Sequence, residues 1–149
     1  MISAKLKELG FILPEVAKPV AAYIPAKRNI DIVYVSGQLP LKDGALMLTG
    51  PLNSEAEVEK AKQAMAQCFL NAIAAATTVV GIDDLSGVLR IAAFVASAPS
   101  FTWQHLVANG ASELAAKIFG EQGRHSRSAI GVPSLPLNAS VELEVQFLV

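Results

Sequence analysis

Charge is scarce in this chain. Charged residues fill 17% of its 149 positions against an apolar share of 52%, where soluble domains average about 25% charged. A small domain with too few charges to cover itself hides surface against copies of itself, so self-association is expected. The net charge is −1, and lysine and arginine do not cluster, which argues against the basic footprint of a nucleic-acid binder. A single cysteine, Cys68, excludes an intrachain disulfide and fits a reducing, cytoplasmic setting. The only histidines, His105 and His125, are far apart, and no Cys/His or carboxylate cluster has metal-ligand spacing. Neither a metal nor a cofactor is expected, because phosphate loops, dinucleotide fingerprints and nucleophile elbows are all missing. Residues 63–82 carry no charge and reach about the length of a membrane span. However, Gln63, Gln67 and Asn71 recur along one helical face and alanine dominates the rest, so a packed core helix is expected. The N-terminus is too weakly apolar for a signal peptide.

The chain reads as one domain, 1–149, with residues 1–19 as an N-terminal extension and no repeat or linker. At this length it buries roughly 70% of its extended-chain surface. Residues 1–13 form an amphipathic pattern ending at Pro14, and Pro19, Pro25 and Asn29 leave short extended pieces. Residues 31–40 are β-branched and closed by Gly37 and Pro40, which marks a strand; Lys42-Asp43-Gly44 is a turn, with a return strand in 45–50. Ser54 and Glu57 form a capping box ahead of a helical pattern through Val58, Met65, Cys68, Phe69 and Ile73, with Gly81 as its cap. Residues 88–96 read as a strand buried on both faces. Pro99 and Ser100 open a second helix, in which Trp103, Leu106, Val107, Gly110, Leu114 and Ile118 share a face and Gly120 is the stop. An interior Gly110 costs about 1 kcal/mol, which a close helix–sheet approach would explain. The chain then ends in a hairpin, 125–132 and 140–148. This order gives an α+β, two-layer sandwich: a mixed sheet with two long helices on one face. The other face is left bare and apolar, free to meet other subunits.

Arg127 lies in a tract of small and apolar side chains with no further charge until Glu142. A guanidinium there needs an anionic partner, because a buried charge must be paired. Either Glu142 or Glu144 neutralises it, or a small anion arrives from outside.

Two motifs carry a resemblance. Ser36-Gly37-Gln38-Leu39-Pro40, and Arg127-Ser128-Ala129-Ile130-Gly131-Val132 followed by Leu135-Pro136 and Val141-Glu142-Leu143-Glu144, resemble the signatures of the YjgF/RidA family of reactive-intermediate imine deaminases. The chain looks like a divergent branch with an N-terminal extension. The resemblance implies a fold similar to the bacillus chorismate-mutase type, assembled as a trimeric barrel with clefts between subunits. It implies that Arg127 clamps a substrate carboxylate, since a planar fork matches two oxygens, and that Glu142 holds or activates a water. Ser36, Gly37, Tyr23 and Asn109 would complete the substrate site. The implied reaction is hydrolysis of a 2-imino acid, tautomer of an enamine such as 2-aminoacrylate, to a 2-keto acid and ammonia. The implied partners are a small carboxylate compound and two further copies of the chain. A non-catalytic carboxylate-binding or regulatory trimer is the alternative, and ribonuclease activity, without a basic patch, is the weakest. The chain departs from the pattern in three places. Ala21-Ala22-Tyr23 replaces the usual lead into a pocket tyrosine, His125 replaces a proline before the arginine, and Asn109 aligns only after an insertion.

Overall fold

The computed structural model describes residues 1–19 and 21–149. Its elements are α1 (Ile2–Glu8), β1 (Ala26–Asn29), β2 (Ile32–Gln38), a two-residue hairpin of β3 (Leu41–Lys42) and β4 (Ala45–Leu46), α2 (Val58–Ala76), β5 (Gly87–Ala96), α3 (Gln104–Phe119), β6 (Ser126–Val132) and β7 (Val141–Leu148). Five strands form one mixed sheet in the order β1-β2-β7-β5-β6, with β5 and β6 parallel and the other neighbours antiparallel.

Both long helices cover one sheet face. Met65, Cys68, Phe69 and Ile73 of α2 and Val107, Ala111 and Leu114 of α3 meet Val33, Ile91, Leu143 and Phe147 in a single buried cluster. Phe69, Phe119 and Phe147 sit with ring centroids 5.8–6.5 Å apart, within the range of favourable aromatic pairs. The architecture is the expected two-layer sandwich.

Several local expectations fail for physical reasons. β6 and β7 are not a hairpin. Strand, helix, strand in the order β5-α3-β6 is a crossover unit, so β6 runs parallel to β5, as such connections require. The chain then passes the end of β5 through residues 133–140, where Leu137 and Asn138 take left-handed backbone angles, and β7 inserts between β5 and β2. Gly81 does not cap α2; the helix stops earlier, where the Thr77 and Thr78 hydroxyls donate to the carbonyls of Ala74 and Ala75 at 2.6 and 2.7 Å. Gly110 serves a helix–helix contact rather than a helix–sheet one: a Cβ there would overlap the Lys62 carbonyl of α2. The return strand after Gly44 shrinks to two residues outside the main sheet, and α1 ends at Glu8 rather than near Pro14.

The face away from the helices is not uniformly apolar. It presents Tyr34 of β2, Arg90 and Phe94 of β5, and Glu142, Glu144 and Gln146 of β7, as the strand registers dictate. β5 is correspondingly less buried than expected, with Leu89 exposed and Arg90 and Phe94 partly so.

Candidate functional site

Arg127 stands on the edge strand β6, registered opposite Ile91 of β5. Ile91 is fully buried against the helices, so Arg127 shares the helix face and reaches across to α3. Its Nη1 donates to Asn109 Oδ1 at 2.8 Å and to Ser112 Oγ at 3.1 Å, and its Nη2 donates to the His105 carbonyl at 3.1 Å. Positions 105, 109 and 112 line one stripe of α3, because residues three and four apart stack on a helix surface. All three acceptors are neutral, and none of the ion pairs among the described residues includes Arg127. A guanidinium has five N–H donors; three bonds are made here, leaving donors on Nε and Nη2 at a half-buried sheet edge. The alternative pairing with Glu142 or Glu144 is not formed.

Glu142 lies on the other face. It is registered opposite Phe94, between Val141 and Leu143, which point into the helix-side core. Arg127 and Glu142 are therefore separated by the sheet itself, by roughly 10 Å along the strands and roughly 10 Å across them. Burial first, and the neighbouring Glu144 carboxylate second, push the Glu142 carboxyl above its ordinary value.

The segment Ser36–Pro40 is built around that carboxylate. β2 carries an irregularity between Val35 and Gln38, and a Cβ at Gly37 would overlap Glu142 Oε1. Only glycine permits the carboxylate to rest on this stretch of backbone. Ser36 is committed to structure: its hydroxyl donates to the Ile24 carbonyl at 2.7 Å and its N–H to the Pro25 carbonyl at 2.9 Å. Two buried amides secure the far end. Asn71 Nδ2 donates to the carbonyls of Leu39 and Leu41 at 2.9 and 3.0 Å, and Gln67 donates to Asn71 Oδ1 at 3.0 Å. Tyr23 sits half-exposed in the loop before β1, at the sheet edge opposite to that of Arg127. A depression of 270 Å³ beside Ser36 is lined by Tyr34, Arg90 and Glu144 and reaches neither Arg127 nor Glu142.

One chain thus joins Arg127 to Asn109, and Gly37 to Glu142, but keeps the two pairs apart. Sequence reasoning missed Ser112 and the His105 carbonyl, although the 105/109/112 spacing was visible, and it read Gln67 and Asn71 as a helix face rather than as clamps. Cys68 is buried, and burial, with Glu142 nearby, raises its thiol well above the usual range, so it is not a nucleophile. No cluster of three metal-binding side chains occurs among the described residues, and no described helix is long and apolar enough to cross a membrane.

Residues 3–147 match the family model described as "YjgF/chorismate_mutase-like, putative endoribonuclease". The chain belongs to the YjgF/RidA family. The structure of the protein Atu1372 from Agrobacterium tumefaciens, of unknown function, is 41% identical, covering 99% of this chain and 91% of that one with a TM-score of 0.85. A Shewanella oneidensis MR-1 protein given the same endoribonuclease description is 29% identical, covering 100% and 99% with a TM-score of 0.94. Escherichia coli TdcF with bound serine is 17% identical, covering 91% and 94% with a TM-score of 0.59, a likeness of fold. Within the YjgF/RidA chain, the family motifs thus fall on the two separate halves, Arg127 on β6 and Ser36–Pro40 with Glu142 on β2 and β7.

Proposed function

We propose that the protein is a trimeric, cytoplasmic hydrolase of reactive 2-imino acids, with each site made by two copies of the chain. The observation that carries the reading is Arg127: a half-buried guanidinium, fixed by three neutral oxygens and lacking an acidic partner among the described residues. Such a group is preorganised for an incoming carboxylate, which it holds through charge-assisted bonds that lysine does not reproduce. The serine bound to TdcF, a small amino acid on the same fold, supports a small carboxylate as ligand.

Arg127 occupies the β6 edge, while Tyr23 and the β1–β2 hairpin occupy the opposite edge. Closure of three copies into a ring, with the β6 edge of one set against the helix-free sheet face of the next, unites the Arg127 half of one with the Ser36, Gly37, Tyr23 and Glu142 half of its neighbour, as head-to-tail rings do. In that cleft the carboxylate sits on Arg127, with Asn109 beside it. Water adds to the imine carbon while Glu142, whose raised pKa suits a base, accepts its proton. Glu142 passes that proton to the nitrogen, giving the carbinolamine; it then takes the hydroxyl proton and relays it to the amine as the carbonyl forms and the carbon–nitrogen bond breaks, so that ammonia leaves and the 2-keto acid remains. An imine is already electrophilic, so a positioned water and base assistance worth roughly 10²–10⁴-fold suffice.

The test is to supply freshly generated 2-aminoacrylate and follow keto acid and ammonia. Acceleration that is lost in Arg127→Ala supports the reading; the spontaneous rate, or an undiminished variant, contradicts it. A second reading is a carboxylate binder without turnover, favoured by the distance of Glu142 from Arg127 within the chain. Calorimetry would then show Arg127-dependent binding of 2-keto acids with no ammonia released.

A further inference from the structure

His125, which the sequence motif does not account for, is tied to Arg127 through one hydroxyl. Its Nδ1 lies 2.6 Å from the Gly123 carbonyl, and its Nε2 lies 2.9 Å from Ser112 Oγ. A carbonyl only accepts, so Nδ1 carries the proton. In the neutral ring Nε2 is then the acceptor, and Ser112 donates to it. That direction turns a Ser112 lone pair toward Arg127 Nη1, which donates to the same oxygen at 3.1 Å. The tautomer of one ring therefore dictates the orientation of a hydroxyl that supports the guanidinium, a means of setting a neighbour's donor pattern.

We infer that His125, acting through Ser112, is a positioning residue for the Arg127 anion site, and that protonation of its imidazole tightens carboxylate binding there. Protonated Nε2 becomes a donor to Ser112 Oγ, so the hydrogen bond reverses. The new positive charge lies two hydrogen bonds from the guanidinium. A carboxylate held on the guanidinium gains a second nearby positive charge when the ring is protonated. Binding and protonation thus reinforce one another, reciprocally by linkage.

The charged groups on the elements around the ring are few. On α3 they are Lys117 and Glu113, which is paired with Lys62 at 3.1 Å. On the turn after α3 they are Glu121 and Arg124, paired with each other at 3.4 Å. On β6 there is Arg127 itself, and on β5 Arg90, which donates to Ser128. None of these contacts reaches His125 directly, which leaves the ring's link to charge running through Ser112. His105, the other histidine, is exposed and gives the guanidinium only its carbonyl.

This inference rests on Arg127 being a carboxylate anchor, and its test separates the two. Pyruvate, ionised throughout, is titrated calorimetrically into the whole protein, His125→Gln and Ser112→Ala from about pH 8 to about pH 5.5, the span in which histidine titrates. The expected result is affinity rising about five- to tenfold toward acid, with proton uptake on binding, at the low end of usual coupling. His125→Gln flattens the profile and abolishes uptake, and Ser112→Ala weakens both. Nitrogen-15 spectra of the unliganded protein read the tautomer, expected with the proton on Nδ1. Binding that is flat with pH in the unsubstituted protein, a profile unchanged in His125→Gln, or a proton on Nε2 overturns the inference while leaving the anchor intact. No pyruvate binding at any pH removes the anchor, and the inference with it.

Discussion

Arg127 and Glu142 lie on opposite faces of one sheet, one registered with Ile91 and the other with Phe94 of the shared neighbour β5. Strand pleating makes this separation unavoidable: residues of opposite parity along β5 point to opposite faces. A site that uses both must therefore be assembled from two copies, and a lone chain is expected to be inactive even when fully folded.

Gly37→Ala tests how closely Glu142 is seated. The added methyl collides with the end of a flexible side chain rather than with backbone, so Glu142 swings aside. Stability should fall by less than about 1 kcal/mol, because the strain is relieved by one rotamer change, while the proposed deamination, if Glu142 is its base, should fall by about 10-fold or more. Chemical denaturation and a keto-acid assay on the same preparation give both numbers.

Gly110→Ala should behave in the opposite manner. Its methyl meets the Lys62 backbone, which cannot rotate away, so α2 and α3 must separate. Overpacking of this kind costs typically about 1–3 kcal/mol and outweighs the roughly 1 kcal/mol gained in helix propensity. A fall in melting temperature is expected; a rise would show that the helices are not in the contact described.

Glu142→Gln should stabilise the protein near neutral pH while abolishing the proposed turnover. Burial and Glu144 raise the Glu142 carboxyl in the folded state, so the folded protein binds this proton more tightly than the unfolded chain does. The associated stability is present below the unfolded value and is lost as pH rises through the folded one. Glutamine removes that loss, so the gain in melting temperature should be larger at neutral pH and shrink on acidification. A gain that grows toward acid would contradict the assignment.

Asn71→Ala removes the donor to the Leu39 and Leu41 carbonyls and leaves Gln67 without its acceptor. A buried group left unpaired costs about 1–3 kcal/mol, so a stability loss of that size is expected. Amide exchange should quicken most in residues 38–42.

The layer architecture and the buried faces of α2 and α3 were legible because apolar periodicity reports which face a helix buries; one end of each was not, since α2 stops at Ala76 and α3 starts at Gln104. Strand pairing was not. Residues 125–132 and 140–148 looked like a hairpin because adjacent strands usually pair, and only the order β5-α3-β6 signals the parallel crossover that separates them. Gly110 announced a close approach without naming its partner, and Trp103, expected in the core, sits partly exposed at the start of α3 against Phe101. For the site, Arg127 and Asn109 were visible as motif positions. His125 was visible only as a departure from the motif and Ser112 not at all, since their roles depend on which atom of each faces the other.

The claim that two copies share each site is tested most directly by subunit complementation. Arg127→Ala and Glu142→Gln chains, each inactive alone, are unfolded, mixed in equal amounts and refolded together. In a three-membered ring one site in about four then pairs an intact Arg127 with an intact Glu142 from its neighbour, so about a quarter of the original deaminase activity should return. If the mixture stays as inactive as its two components, Arg127 and Glu142 do not meet across a subunit boundary and the account is wrong.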